Sequence, residues 1–256
     1  FKQKTAYEIR LSLVGSEMCI RDRNVVCHHE AMLFVSGDTY FVDWNERHQR
    51  CSFLITDVTG HGVQAALKAS GVSVIANTVW SSEKNERWNE GKLPRYTTMV
   101  QEFFSRIAEV PDVVAVGGGE FDLQSGKLSL YRRNFPFPVL VMPRSSAVDD
   151  KEGRWDDTWL LKMLPLPNEA TTDLHIPPGS FVILTSDGFM DTSRVAHDFM
   201  KHLRKHFARR TQALHAEDLR RVILEWHAEK KNAIPDDKTL MVFQYVQKSQ
   251  KALKAA

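Results

Sequence analysis

The sequence predicts one mixed α/β domain of the α+β type, in which strands and amphipathic helices share a core. Short runs rich in β-branched and aromatic residues alternate with stretches whose apolar residues recur at helical spacing. A glycine-containing turn joins two of the strand-like runs directly, which favours antiparallel pairing. A chain of 256 residues can bury such a core without disulfides or a structural metal.

The first elements are predicted from hydrophobic patterns. The runs AMLFV (31–35) and CSFLIT (51–56) are typical of strands, and an Ala- and Val-rich helix is predicted from Val63 to about Trp80. Ser81–Leu93 is predicted to be a polar loop. Pro94 is expected to open a second amphipathic helix, which Pro111 and Asp112 would end.

Four strands are predicted in the middle of the chain, as an antiparallel meander. Their sequences are VVAV, EFDL, KLSLY and FPVLVM, and a hairpin turn at 124–126 separates the second from the third. Gly117–Gly119 resembles a phosphate-binding loop only superficially, because no helix beginning with Lys-Ser/Thr follows it. We therefore expect a β-bulge or a turn at these glycines.

The last third is predicted to contain a buried strand, two helices and a closing strand. These elements are Ser180–Thr185, Val195–Arg210, Ala216–Lys230 and Thr239–Val246. Ser145–Trp155 is expected to be a charged loop and His175–Gly179 a turn. The basic residues of the first of these helices could dock an acidic partner, but its apolar stripe favours a core helix with a solvated side.

The chain divides into three parts by composition. Residues 1–23 resemble the translation of a sequencing-library adapter and are set aside as an artefactual segment, with an amphipathic helix as the alternative. Residues 24–247 are predicted to form the functional domain, and residues 248–256 a frayed basic tail. Under this interpretation, natural protein upstream of residue 24 is missing.

Composition excludes several classes of function. Thirty-four basic residues nearly balance 32 acidic ones, and the net charge of +2 does not favour a nucleic-acid partner. No apolar run is long enough for a membrane helix, so no membrane association is predicted. Three scattered cysteines, Cys19, Cys27 and Cys51, fit neither a disulfide framework nor a thiolate site, which favours the reducing cytoplasm.

Four aspartates stand beside strand-like runs. Asp38, Asp57 and Asp187 each follow such a run, and Asp236 shortly precedes the last one. Strand ends on one edge of a sheet arrangement are neighbours, so these carboxylates can converge on a cation. Oxygen ligands without Cys or His suit Mg²⁺ or Mn²⁺, and a pair of such ions can activate water against a phosphate ester.

The alternative for each aspartate alone is a turn residue that caps nearby amides. Local context favours the metal site, because glycines flank the carboxylates in Ser36-Gly37-Asp38, in Asp57-Val58-Thr59-Gly60-His61-Gly62 and in Asp187-Gly188. A tight turn there would bring a carbonyl, that of Val58, to the ion. His28-His29-Glu30 lacks metal-ligand spacing and is interpreted as surface.

These motifs resemble the PPM family of metal-dependent protein phosphatases, in its bacterial SpoIIE-like and RsbU-like branch. The resemblance rests on Gly37-Asp38, the segment Asp57–Gly62, Ser186-Asp187-Gly188 and Asp236-Asp237-Lys238-Thr239, in that order. It extends over Asn24–Gln247. It implies an α-β-β-α sandwich of two antiparallel sheets with two Mn²⁺ or Mg²⁺ ions at one edge.

The resemblance also implies residue roles. Asp38 would bridge both metals, Asp57 and the Val58 carbonyl would bind one, and Asp187 and Asp236 the other. Asp237 would stand behind the ligands, and His61 would neighbour the site, with bracing of the turn as its alternative role.

The function implied is that of a serine/threonine phosphoprotein phosphatase in bacterial regulatory signalling. Its substrate would be a small phosphoprotein such as an anti-sigma factor antagonist, and a sensor domain would lie upstream, outside this chain. Arg132-Arg133-Asn134-Phe135 departs from the Asn-Ala-Gly-His common in the family. The arginines there would either grip a phosphate or form a solvated face.

Two other interpretations compete with this one. Phosphatases that form an aspartyl-phosphate need Asp-x-Asp-x-Thr, and Asp57-Val58-Thr59 lacks the second carboxylate. A catalytically weakened pseudophosphatase acting as a binding module stays open, because the four carboxylates argue for activity and the altered Arg132–Phe135 segment against it.

Overall fold

The computed structural model describes residues 19–20, 25–45, 49–60, 62–81, 92–107, 114–143, 159–190, 192–208, 214–230 and 236–246. The helices are α1 (Val63–Ser81), α2 (Lys92–Ile107), α3 (Ser193–Phe207) and α4 (Ala216–Ala228). The strands are β1 (Cys19–Ile20), β2 (Val25–Glu30), β3 (Asp38–Asn45), β4 (Arg50–Val58), β5 (Val114–Asp122), β6 (Lys127–Arg133), β7 (Val139–Pro143), β8 (Trp159–Met163), β9 (Ala170–His175), β10 (Phe181–Thr185) and β11 (Lys238–Gln244).

The strands form two antiparallel sheets. One has the order β1-β2-β11-β10-β7-β8 and the other β3-β4-β5-β6-β9. Helices α3 and α4 cover the outer face of the first sheet, and α1 and α2 cover the outer face of the second. The predicted α-β-β-α sandwich is therefore confirmed.

Apolar side chains from both sheets fill the space between them. Phe53 of β4 stacks on Phe243 of β11 with ring centroids 5.3 Å apart, and Phe121 packs against the same ring. Both faces of the central strands are buried, so β10 is apolar at nearly every position instead of alternating. This double burial fixes the two sheets face to face and holds their site-bearing ends together.

The prediction of a strand at AMLFV is wrong. Residues 31–37 are a loop between β2 and β3, and the preceding run VVCHHE forms β2, which pairs with β11. Leu33 and Phe34 are exposed, so the apolar character of this run does not reflect burial. The loop is held instead by the carboxylate of Asp237, from the far end of the chain.

The prediction of a bulge or turn at Gly117–Gly119 is also wrong. All three glycines lie in the middle of β5, in unbroken register with β4 and β6, so VVAV and EFDL belong to one strand. A Cβ on Gly117 would lie 2.1 Å from the Phe135 ring, and one on Gly118 2.6 Å from the Phe53 carbonyl oxygen. Glycine is needed here for space, not for backbone conformation.

The predicted meander ends after β6. Asn134 has a positive φ of 51°, and β7 pairs with β10 in the other sheet. Pro136 and Pro138 lack the amide hydrogens that a continued ladder would need, which explains why the chain leaves the second sheet. Strands β8 and β9 were not predicted, because their short sequences mix exposed and half-buried residues.

Most remaining predictions agree with the structure to within a few residues. Helix α3 begins two residues before the predicted start, where Thr192 caps it by accepting a hydrogen bond from the Val195 amide. Helix α2 begins at Lys92, which places Pro94 in its first turn. The predicted loop at 145–155, the helix stop at Pro111-Asp112 and the basic tail lie outside the described residues. None of the described helices is both long and apolar enough to cross a membrane.

Candidate active site

Asp38 and Asp57 face each other across two strands. Asp38 is the first residue of β3, Asp57 is the second-last of β4, and the antiparallel register pairs them directly. Asp38 is buried, with 4% of its surface exposed, and Asp57 is half-buried. Asp38 therefore begins a strand instead of following one, yet it reaches the edge predicted for it because neighbouring strands run in opposite directions.

Asp187 and Asp236 lie at the matching edge of the other sheet. Asp187 follows β10, and Asp236 shortly precedes the adjacent strand β11. The Ser186 amide donates to the Thr239 carbonyl oxygen, and the Thr239 amide donates to the Ser186 hydroxyl, both at 2.9 Å. These bonds fix the two strand ends side by side. Asp187 is exposed and Asp236 half-buried.

Hydrogen bonds join the two edges. The Thr239 hydroxyl donates to Asp38 Oδ2 at 2.8 Å, linking β11 to β3. The Asp187 carboxylate also lies close enough to Asp57 to raise the pKa of that group. The structure thus brings the four predicted carboxylates to one edge of the sandwich, between the sheets.

Asp237 holds the loop that precedes Asp38. Its Oδ1 accepts a hydrogen bond from the Met32 amide and its Oδ2 one from the Gly37 amide, both at 2.7 Å. Asp237 is buried, and its own amide donates to Asp236 Oδ1 at 2.8 Å. With both oxygens engaged by backbone amides, Asp237 acts as a positioning residue and not as an open ligand.

His29 is a neighbour of the site that the sequence analysis missed. Its Nδ1 lies 2.9 Å from the Thr239 hydroxyl, whose single hydrogen is directed to Asp38, so Nδ1 is the donor in this pair. Burial lowers the pKa of His29, which favours the neutral ring. The interpretation of His28-His29-Glu30 as surface is therefore wrong for His29, whereas Glu30 is exposed as predicted. The apolar, β-branched start of the run VVCHHE was the available signal for a strand there.

The electrostatics of the site are those of crowded carboxylates. Burial, and then the nearby Asp38 and Asp187 carboxylates, raise the pKa of Asp57 to about 9. Burial also raises the pKa of Asp38, to about 7, against hydrogen bonds from Ser186 and Thr239 that lower it. Negative charge at this edge is unfavourable without a compensating cation.

The carboxylate oxygens of the site are chemically suited to a hard divalent cation. Carboxylate oxygens that repel one another at a sheet edge are the ligands that Mg²⁺ and Mn²⁺ prefer. Within the described part of the chain, no three Asp, Glu, His or Cys side chains are arranged so that they could hold a metal ion as they stand. Binding would therefore require these side chains to turn toward a shared centre.

Where a tight glycine-containing turn was predicted after Asp57, the glycines have a left-handed conformation. Gly60 and Gly62 have φ of 98° and 79°, values that favour glycine. A Cβ on Gly37 would come within 2.9 Å of the Val58 carbonyl oxygen, so this oxygen lies against the loop before Asp38. His61 lies outside the described residues.

The segment that departs from the family pattern braces a loop. Arg132 Nη1 donates to the Phe135 carbonyl oxygen at 2.7 Å, and its guanidinium lies 4.5 Å from the centroid of the Phe137 ring. Arg133 Nε lies 3.1 Å from Glu169 Oε1. Phe135 is buried over Gly117. Both arginines thus have partners within the fold, and a merely solvated face does not describe them.

Comparisons with known proteins identify the family of this chain. The model of the family described as stage II sporulation protein E (SpoIIE) matches residues 47–246, which include Asp57, Asp187 and Asp236 but not Asp38. Among curated protein sequences, none matches this chain.

Solved structures with the same fold come from several bacteria. The RsbU and RsbW domains of a Mycobacterium tuberculosis protein give a TM-score of 0.65 at 15% identity, covering 93% of this chain and 62% of that one. The SpoIIE phosphatase domain with a fragment of its regulatory domain, from Bacillus subtilis, gives 0.63 at 15% identity, covering 88% and 64%. The SiaA PP2C domain of Pseudomonas aeruginosa gives 0.61 at 16% identity, covering 87% and 86%.

At these identities the structural likeness establishes the fold alone, and this chain spans less than two thirds of the first two structures. The family match is the stronger finding, because it extends over more than half of the chain. The chain therefore belongs to the SpoIIE family and has the fold of PP2C-type phosphatase domains.

Proposed function

We propose that this chain is a metal-dependent phosphatase that removes phosphate from serine or threonine of a protein. The observation that carries the proposal is the meeting of Asp38, Asp57, Asp187 and Asp236 at one edge of a phosphatase fold. Two of these carboxylates have raised pKa values, which is the electrostatic condition that a bound cation relieves.

In this proposal two Mn²⁺ or Mg²⁺ ions are held by Asp38, Asp57, the Val58 carbonyl, Asp187 and Asp236. When bound, such ions supply the positive charge that activates water and stabilises a phosphoryl group. Thr239 orients Asp38 through its hydroxyl, and His29 fixes the direction of that hydroxyl. Asp237 sets the backbone from which Asp38 projects.

The substrate, the regulation and the location are extensions of this proposal. By the family's character, the substrate is a regulatory phosphoprotein such as an anti-sigma factor antagonist, controlled through a sensor domain outside this chain. Cys27 and Cys51 are buried and are not joined in a disulfide, in keeping with the reducing cytoplasm predicted from the sequence.

The test is hydrolysis of p-nitrophenyl phosphate by the purified chain with Mn²⁺, before and after chelation. We expect hydrolysis that needs Mn²⁺ or Mg²⁺, disappears with chelator and returns when the ion is restored. Calorimetric titration with Mn²⁺ gives a readout independent of turnover. For substitutions of the candidate metal ligands, Asp173→Asn is the matched control. Its carboxylate lies in β9, far from the candidate site, and accepts a hydrogen bond from Ser129 and pairs with Lys127.

Two results would contradict the proposal. Hydrolysis that continues after exhaustive chelation would show that the activity does not depend on metal ions. Tight Mn²⁺ binding without any hydrolysis of p-nitrophenyl phosphate or phosphopeptides would favour the pseudophosphatase instead.

A further inference from the structure

A groove of about 710 Å³ lies between helix α3 and strand β8. Its apolar lining includes Leu161, Met190 and Met200, and Ala196 contributes a small side chain to it. Methionines adapt to differently shaped apolar partners. Such a lining suits an apolar side chain of a bound segment.

The ionisable residues that line the groove, among those the structure describes, carry charge of one sign. These are Lys162, His197 and Arg204, all of them basic. The one carboxylate of α3, Asp198, faces away and pairs with Lys230 Nζ at 3.0 Å. Within the described ranges, neither Lys162 nor Arg204 forms an ion pair. The complementary occupant therefore carries acidic residues beside its apolar ones.

The groove is near the candidate active site along the chain. Two of its lining residues, Met190 and Thr192, come within five residues of Asp187, after the turn that carries it. From there the groove follows α3 to Arg204, about 16 Å at the rise of an α-helix. An extended chain of about five residues spans that length.

The groove also runs along an open strand. Strand β8 ends the order of its sheet among the described strands. Leu161, Lys162 and Met163 all line the groove, and because successive residues of a strand point to opposite faces, the groove must touch the edge of β8. Such an edge can pair with the backbone of an extended segment.

We propose that this groove binds an acidic, apolar-containing extended segment of the phosphoprotein substrate, next to the phosphorylated residue. This inference rests on the proposed function and names the substrate feature that the domain selects. The apolar lining and the edge of β8 would give affinity. The basic rim would select acidic segments and reject basic ones.

The probes are two phosphoserine peptides that differ only in charge. One carries Asp and Glu alternating with Leu on both sides of the phosphoserine, and the other has Lys in place of each acid. We expect kcat/KM to favour the acidic peptide by about tenfold or more, because several rim charges act together. Binding is measured separately by fluorescence polarisation of the labelled acidic peptide in the presence of chelator.

The variants are Arg204→Glu and Lys162→Glu, which reverse the rim charge, and Ala196→Trp, which fills the groove. Each should weaken binding of the acidic peptide by about three- to tenfold and reduce its kcat/KM equally. Hydrolysis of p-nitrophenyl phosphate should not change. Lys205→Glu is the matched control, since it makes the same charge change on an exposed residue of α3 that does not line the groove.

The outcomes separate this inference from the proposed function. Peptide binding that the variants abolish, without hydrolysis by the wild type, would support the groove and contradict the phosphatase. Hydrolysis with equal kcat/KM for both peptides and all variants would overturn the groove. Two results without any effect on peptide affinity would also overturn it. A lower melting temperature of Ala196→Trp would indicate that a segment of this chain occupies the groove, and a change of oligomeric state in Arg204→Glu would indicate that a second copy does.

Discussion

At the level of single residues, the site depends on carboxylates that the fold forces together. Asp38 is nearly inaccessible to water, and Asp57 lies opposite it on the neighbouring strand. Each raises the cost of ionising the other. The same proximity that makes the metal-free site unfavourable makes it suitable for a cation.

Replacing Asp38 or Asp187 by Asn should abolish turnover and leave the fold intact. In Asp38→Asn the amide oxygen can still accept the hydrogen bond from the Thr239 hydroxyl, while one repelling charge disappears. The loss in kcat with Mn²⁺ should exceed the roughly 10–100-fold that is typical of losing an outer partner of a metal ligand. The melting temperature in chelator should stay the same or rise.

Steady-state kinetics and thermal unfolding of each variant check this prediction. Near-wild-type kcat in either variant would show that the ligand assignment is wrong. A large fall in melting temperature would show instead that the carboxylate serves the fold.

Above neutral pH, the chelated protein should lose stability as pH rises. The folded-state pKa values of Asp38 and Asp57, about 7 and about 9, exceed the value of about 3.9 expected in the unfolded chain. The folded state therefore binds more protons, and the free energy of unfolding falls as pH rises to about 9. Buried histidines such as His29, whose pKa is lowered, make the free energy of unfolding rise with pH instead, but only below about pH 6.5.

Urea unfolding in chelator at about pH 7 and about pH 9 measures this effect. Asp57→Asn is the informative comparison, because it should remove most of the fall. Stability that is constant or rises over this interval would contradict the raised pKa values.

At the level of elements, β5 and the segment after β6 fit each other as a pair. Phe135 occupies the space that a side chain at Gly117 would need, and both are buried. The family's common Asn-Ala-Gly-His has no phenyl ring at this position. The departure at Phe135 is therefore matched by the glycine that faces it.

Gly117→Ala should destabilise the domain by about 1–3 kcal/mol through overpacking, and Phe135→Leu by a similar amount through lost packing. The double variant should cost less than the sum of the two, because the smaller side chain makes room for the new methyl group. Urea unfolding of the four proteins gives this coupling energy. Strictly additive costs would show that the two residues do not compete for the same space.

Two groups of glycines show how much of the fold could be predicted from the sequence. The tight turn at Gly60 and Gly62 was predictable, since its cause is local. Gly117–Gly119 was not, because the side chains that exclude a Cβ come from β4 and from Phe135. Local pattern identified most strands and helices, but not which strands pair.

The candidate site was likewise predictable only in part. Asp38, Asp57 and Asp187 could be proposed from their glycine-flanked motifs, and Asp236 from its place before the last strand and from the family resemblance. The bonds that organise them were not predictable, since His29 and Asp237 act through partners more than 200 residues away in sequence. A long-range hydrogen bond leaves no periodic signal along the chain.

At the level of the whole molecule, the contribution of residues 1–23 can be tested directly. Of this segment the structure describes Cys19–Ile20, which forms β1 and pairs with Val25 and Val26 at the edge of the sheet. Two residues of edge pairing add little to a sandwich with three apolar clusters. A segment of accidental origin would also lack complementary packing.

Deleting residues through Arg23 should therefore leave both the melting temperature and the Mn²⁺-dependent rate unchanged. Differential scanning calorimetry and the p-nitrophenyl phosphate assay on the shortened chain test this, with the full chain as control. A fall of many degrees would show that the segment packs into the domain and would identify it as natural protein.

The bonds from Asp237 to the Met32 and Gly37 amides also determine when the site can form during synthesis. They join residues 205 and 200 positions apart, so the loop that carries Asp38 waits for almost the whole domain to leave the ribosome. A nascent chain halted before β11 could fold parts of both sheets but would lack the anchor of that loop. Truncated products should thus be inactive toward phosphoproteins, and phosphatase activity would require the complete domain.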